Sequence, residues 1–542
     1  MVKKMALLFS VLLFIGSLFF FVHESEHAEI QDTYESGALK GEVHEARKLQ
    51  KRLAKTLDGT SVQLCFKGEL LACDRESLTF YLPVGMETDA WEAGTFADQS
   101  GEFGILPLED YTRLEKKETV SSGYAVPFLA WNEKEGTCTT IYVVFTGLPV
   151  VRMETDASLD VDTVFAGSVE FYENCGKEDW TLKSVFQAHE RGQTTRAYPK
   201  KGYRVDLISV TSTGVINKNK EKVLGMRKSD SWIFYAIYSD GTKVRDQFNT
   251  RIWDRLGAWD TPYDTRFGTS MKYVELVVNG EYRGLYGIFE PIDSTQLEIS
   301  DQEYLYKRTY GRELLAETMD SVAPSEYLTV LGMELKGRNG QGNGEDWKCF
   351  RTFVEMCQSD DETFRAEAEK LLNMDNVADI WLYLQMMYAE DNIYKNMFFA
   401  FKKESDGYRM YLVPWDTDLT WGNTYVDDGE QLYVQWSPEH AQDYLEWPFL
   451  DRLLKLDVGN IREKVAARWQ KLRQDELSDE NLKNMLDDCI HEVQDSGAFA
   501  RDAARWPDSR HDGDYEGMES YLKTRIAWLD KTMKNMDEQI EK

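Results

Sequence analysis

AEDNIYKNMFFAFKKESDGYRMYLVPWDTDLTWGN, residues 389–423, holds two strand-like runs, MFFAFKK and YRMYLVP, joined by the turn residues ESDG. A hairpin returns the chain to its starting point. Residues just before the first run and just after the second then become neighbours on strands about 5 Å apart. Asp391, Asn396, Asp416 and Asp418 are therefore expected to converge. Three carboxylates and a carboxamide would repel one another there unless a cation joined them, and hard oxygen donors suit Mg²⁺ or Mn²⁺. Such an ion would in turn carry phosphates. Taken singly, Asp391 and Asp416 could instead cap turns or pair with Arg.

Upstream, residues 377–388 place Val377, Ile380, Trp381, Leu384 and Met387 at helical spacing, which predicts a helix with one buried face. The four-glycine run KGRNGQGNGEDW (336–347) is read as a connection and not a phosphate loop. No Lys-Ser/Thr follows it and no strong strand precedes it. In KYVELVVNGEYRGLYGIFEPID (272–293), apolar runs flank Asn279-Gly280, whose ease at positive φ suits a type I′ hairpin turn. The second run leads through Glu290, Pro291 and Asp293 into what reads as a connection between lobes. Before it, VRDQFNTRIWDRL (244–256) predicts a helix with acid and base on its faces, and strands are expected near 168–172 and 203–208. The polar stretch RGQTTRAYPKKGYRVDL (191–207) crowds Arg191, Arg196, Lys200 and Lys201 together, either as a solvated basic turn or as an anion site. Residues 61–145 break into short β-rich runs, among them VQLCFKG, SLTFYLPVG and CTTIYVVF. Helical patterns dominate from 347, and amphipathic pieces after 445 read as closing a helical lobe.

The domain division expected is 1–23 as a signal anchor or signal peptide, 24–60 as a charged linker, and 61–147 as a β-rich accessory domain. An N-lobe over 148–293 and a helical C-lobe carrying the acidic site over 294–542 complete it. The fold class is α+β. Lys3 and Lys4 precede an uncharged run at 5–22, and Glu24, Glu26 and Glu29 follow. Eighteen residues just span a bilayer with the lysine end inside, and no clear small-x-small cleavage site follows. This predicts a membrane-anchored protein with its bulk outside the cytoplasm, or a secreted one if the signal is cleaved. A lipoprotein is not expected, because the first cysteine is Cys65.

Ninety-four Asp and Glu against 63 Lys and Arg give a net charge of -31, which argues against nucleic acid and favours basic partners or plain solubility. Seven cysteines without a CxxC pair make zinc improbable. Cys65 and Cys73 could bridge neighbouring strands or stay free. Cys349 and Cys357 would sit about 12 Å apart along a helix and cannot pair locally.

Asp391 and Asn396 reproduce the D-x-x-x-x-N interval of the protein-kinase catalytic loop, with Ala389 and Glu390 in place of its His-Arg. The hairpin then delivers an Asp as it does ahead of D-F-G. No G-x-G-x-x-G precedes them. Three stretches, RGQTTRAYPKKGYRVDL, VRDQFNTRIWDRLG with VNGEYRGLYGIFEPID, and AEDNIYKNMFFAF with VPWDTDLTWG, resemble the CotH kinases named for spore coat protein H, over about residues 148–533. The resemblance implies an atypical two-lobed protein-kinase-like fold that uses ATP and a divalent metal to phosphorylate Ser or Thr of proteins, here expected to be basic and Ser-rich. It implies Asp391 as the catalytic carboxylate and Asn396, Asp416 and Asp418 as metal ligands. Arg191 and Lys201 would meet the phosphates, and the segment containing Glu290 would lie near adenine. Two other readings stand beside it. A nucleotide-sugar glycosyltransferase would use the D-x-D, and a non-catalytic surface or coat scaffold would keep a kinase-like fold.

Overall fold

A computed structural model of the chain describes residues 38–534 and 536, apart from 54, 158–162, 193, 258–266, 311–331, 337–343 and 427–431. The fold is α+β: the described residues include twelve α-helices and several separate, mainly antiparallel sheets. They form two compact units. One comprises Met1–Tyr238, Lys272–Glu290 and His491–Arg510, the other Ser239–Met271, Pro291–Ile490 and His511–Lys542. The expected anchor at 1–23 lies outside the described residues, among which no helix is long and apolar enough to cross a membrane.

In the first unit, the β-rich region builds a sheet in the order Ala72–Asp74, Thr79–Pro83, Thr137–Thr146, Ala125–Asn132 and Gly104–Pro107. Phe80, Leu82, Phe128, Ile141 and Val143 stand in its core. The next strands close on themselves. Thr181–Arg191 pairs with Phe165–Tyr172 on one side and with Gly202–Val210 on the other. The ring continues through Val150–Glu154, Met271–Val278, Glu281–Phe289 and Ser231–Tyr235. Alternate side chains fill its interior, including Val151, Met153, Phe171, Phe186, Val205, Leu207, Phe234, Leu276 and Ile288. Thr181–Arg191 is one strand more than the sequence reading placed there, and the ring cannot close without it. Asn279 and Gly280 both take positive φ, +52° and +73°, as a type I′ turn requires. The helix Ala498–Arg505 packs on Glu281–Phe289, so the C-terminal helices are shared between the two units. All seven cysteines carry free thiols. Cys65 and Cys73 stand on strands of different sheets.

In the second unit, the strands Met333–Lys336, Tyr304–Arg308, Met397–Glu404 and Gly407–Pro414 form a sheet in that order. A four-residue strand thus does precede the glycine-rich run, whose middle lies outside the described residues. The helix Met374–Met387 is buried all round from Asn376 to Met387, not along one face. It is packed by the strand Gly407–Pro414 and by the helices Arg245–Gly257, Ile461–Gln474 and Tyr515–Lys534. Its polar side chains survive burial by being paired. Asn376 bonds both the C=O and the N–H of Leu412 (3.1 and 2.7 Å), and Asp379 meets Arg468 at 2.8 Å. The helix Arg245–Gly257 stands where the sequence placed one, and its first six residues, Arg245 to Thr250, are all buried.

Candidate active site at the open end of a hairpin

The strands Met397–Glu404 and Gly407–Pro414 pair from Glu404 opposite Gly407 to Met397 opposite Pro414. At the open end the pairing runs one step further, as the Trp415 N–H donates to the Asn396 carbonyl at 3.0 Å. Asn392, fully buried, ties the two chain ends by donating from Nδ2 to the carbonyls of Asn396 (3.1 Å) and Trp415 (2.9 Å). Asn396 and Asp416 both sit in the left-handed region, φ +60° and +58°. Asn and Asp tolerate that region better than other side chains, so the backbone itself asks for these residue types.

Asp391, in the one-turn helix Glu390–Tyr394, accepts a hydrogen bond from Asn396 Nδ2 at 2.7 Å, and Lys395 Nζ lies 3.3 Å from its other oxygen. Burial pushes its carboxyl above the usual range, Lys395 pulls it back, and the charge of Asp416 adds to the rise. Burial and then the Asp416 charge raise Asp418 to about 7, although the Ser239 hydroxyl donates to it at 2.6 Å. A third carboxylate, Asp246, is pushed well above its ordinary value by burial and by the charges of Asp418 and Asp416. Asp416 acts on all three, so the four carboxylates share one electrostatic neighbourhood.

Segment 239–249 builds the wall around the Asp416–Asp418 turn. Asp246 accepts from the Thr417 N–H at 3.1 Å, while Asn249 donates to the Thr417 carbonyl at 2.8 Å. Arg245 Nε donates to the Thr420 carbonyl at 3.1 Å, and its guanidinium pairs with Asp240. Burial would raise Asp240, but Arg245 and hydrogen bonds from Arg245 and Thr242 hold it below the ordinary carboxylate range. None of these four was singled out from the sequence. The available signal was Asp246 and Asn249 one turn apart among Val244, Phe248 and Ile252, polar residues in the buried part of a helix.

A cleft of about 200 Å³ opens beside Asp391, with Tyr388, Glu390, Tyr394, Tyr425 and Trp436 in its walls. Gly422, also lining it, has φ +83°, and a Cβ there would meet Gln435 Nε2 at 2.3 Å.

The remaining sequence candidates lie in the first unit. Arg191 ends the strand Thr181–Arg191, Lys201 Nζ donates to the Arg196 carbonyl at 2.5 Å, and buried Glu290 accepts from the Arg227 N–H at 2.9 Å. The more deeply placed lysine is its neighbour, Lys200. It is fully buried and donates to Asp502 and to the Leu285 carbonyl, both at 2.6 Å. Burial drives the ammonium's pKa down, and Asp502 offsets part of that.

Among the described residues, no three His, Cys, Asp or Glu side chains stand close enough to ligate one ion by themselves. Mg²⁺ does not demand such a cage, because it is commonly held by one or two carboxylates, with water and phosphate oxygens completing the octahedron. The donors here are all oxygen, and one oxygen of Asp246 is buried without a hydrogen-bond partner. The donor set therefore fits a hard divalent cation bound together with phosphates.

A family model described as CotH kinase protein matches residues 188–529, a span that contains all seven sequence-derived site residues. No curated protein matches the chain at a significant level.

Proposed function

Since the chain belongs to the CotH kinase protein family, we propose that it transfers the γ-phosphoryl group of ATP to a Ser or Thr hydroxyl of a basic, Ser-rich protein. The supporting observation is the 2.7 Å bond between Asn396 and Asp391, at the foot of a hairpin whose second strand leads into Asp416. It reproduces the order in which kinases present a catalytic carboxylate and two metal-holding side chains.

Asp391 orients the acceptor hydroxyl and takes its proton as the acceptor oxygen bonds to the γ-phosphorus. The bond from that phosphorus to the bridging oxygen breaks, and ADP leaves. A carboxyl raised by burial is a better proton acceptor than an ordinary one. Asn396, Asp416 and Asp418 would hold Mg²⁺ or Mn²⁺, which when bound would neutralise charge on the phosphates. Arg191 and Lys201 are assigned to those phosphates and Glu290 to the adenine end. The cleft beside Asp391 takes the acceptor. We place the protein at a cell envelope or spore coat, held to the outer face of a membrane by residues 1–23.

The test is transfer of labelled γ-phosphate to a Lys-rich, Ser-containing peptide. Asp391→Ala lowers the rate by about a hundred- to ten-thousand-fold, and Asp416→Ala abolishes the Mg²⁺ dependence along with the activity. Transfer that survives both changes removes this site. Thermal stabilisation by a sugar nucleotide and not by ATP favours glycosyl transfer, and no response to any nucleotide leaves a scaffold.

A further inference from the structure

Asp246 and Asn249 lie three residues apart, on one face of the helix Arg245–Gly257, and hold the residue between Asp416 and Asp418 from both sides. Asp246 Oδ1 accepts from the Thr417 amide at 3.1 Å and from its hydroxyl at 3.4 Å. Asn249 Nδ2 donates to the Thr417 carbonyl at 2.8 Å and to Thr420 Oγ1 at 2.9 Å, while its Oδ1 accepts from Trp421 Nε1 at 2.6 Å. Both are buried, at 4% and 0% exposure. Asn249 uses its whole amide. Asp246 uses half of its carboxylate, and Oδ2 is buried with no hydrogen-bond partner.

A residue needed only to grip the Thr417 amide would be an Asn, whose single oxygen does that work without leaving charge in a dry site. The nearest base in sequence, Arg245, is committed to Asp240, the Thr420 carbonyl and Gln435. The charges acting on Asp246 are instead the carboxylates Asp418, Asp416 and Asp240. A buried carboxyl set among other carboxylates, with one oxygen unused, is the arrangement a cation resolves.

We propose that Asp246 is a positioning residue of the cation site: one oxygen fixes the Asp416–Asp418 turn through Thr417, and the other adds negative charge that a divalent cation neutralises. This rests on the cation-dependent reading above. It brings to the site a carboxylate about 170 residues distant in sequence, outside the D-x-x-x-x-N and D-x-D spacings.

The experiment is thermal unfolding of the full chain titrated with Mn²⁺ alone, without nucleotide, for wild type, Asp246→Asn and Asp246→Glu. The Asn variant keeps the Thr417 hydrogen bond and loses the second carboxyl oxygen, which burial opposes in its charged form. It therefore unfolds at the same or a higher temperature than wild type in metal-free buffer, and it needs on the order of tenfold more Mn²⁺ for half its stabilisation. Asp246→Glu restores much of the Mn²⁺ response. An Asn variant with the wild-type Mn²⁺ midpoint overturns the proposal and leaves the kinase reading standing. One that is less stable than wild type without metal also overturns it, because the carboxyl would then serve the fold. A wild type that ignores Mn²⁺ removes the cation reading, and this inference with it.

Discussion

Asp451, at the start of the helix Pro448–Lys455, accepts a hydrogen bond from the Tyr444 hydroxyl at 2.6 Å, and burial pushes its carboxyl up to about 6. A folded-state value above the unfolded one means that the native protein holds the proton more tightly. The stability it contributes is complete below about pH 4 and is lost as pH rises through about 6. Asp451→Asn retains the oxygen that Tyr444 uses and cannot ionise. Its melting temperature relative to wild type is expected to be near zero difference at pH 4 and positive at pH 8, and a flat difference across that range refutes the assignment. Which residues were legible in the sequence follows from how far apart their partners lie. Asn396 and Asp391 are five apart, and a local hairpin brings Trp415 beside Asn396, so turn chemistry and strand spacing were enough to expect their meeting. Asp246 and Thr417 are 171 apart and Lys200 and Asp502 are 302 apart. No periodicity or spacing in one sequence carries such pairings.

The buried pair Lys200–Asp502 joins the approach to the strand Gly202–Val210 to the helix Ala498–Arg505, and Asp502 also accepts from the Leu285 N–H at 2.8 Å. Gly284 makes room for it, since a Cβ there would fall 2.1 Å from Asp502 Oδ1 at a φ of +91°. Removing one partner strands the other charge in the interior. Lys200→Met is expected to cost about 3–5 kcal/mol in urea unfolding, whereas Lys200→Met with Asp502→Leu recovers a large part of that loss. A double variant as unstable as the single one would show that the lysine acts through packing and not through charge. The same dependence on distant partners explains which elements were misjudged. The helix Met374–Met387 carries polar residues that a one-faced reading sends to solvent, and the polar first turns of the helix Arg245–Gly257 are buried as well. Tertiary partners bury them instead, with Asn376 bonding Leu412 and Asn249 bonding Thr417. The strand Thr181–Arg191 went unnoticed because its buried positions Phe186, Ala188 and Glu190 include a small residue and a carboxylate, so no apolar alternation stands out in TLKSVFQAHER. By contrast, Asn279-Gly280 announced its hairpin through backbone freedom alone.

At the scale of the whole chain the dominant fact is charge, 94 acids against 63 bases. Many carboxylates are committed to internal ion pairs, such as Asp379 with Arg468, Glu275 with Arg501 and Glu303 with Lys402. Pairing leaves the total unchanged: a net charge of -31 remains, and its field extends about a Debye length into solvent, roughly 20 Å near 20 mM salt and roughly 7 Å near 200 mM. If that surplus recruits the substrate, its effect falls chiefly on the rate at which cationic chains arrive. Anisotropy of a labelled Lys-rich, Ser-containing peptide should then show affinity falling on the order of tenfold between those two salt concentrations, while a neutral Ser-rich peptide of the same length changes little. The site variant Asp391→Asn should keep the salt dependence, because one charge is a small part of the field, even as it loses phosphoryl transfer. A Lys-rich peptide bound equally at both salt concentrations would assign the acidic surplus to solubility alone, and substrate choice would then rest with the aromatic cleft beside Asp391.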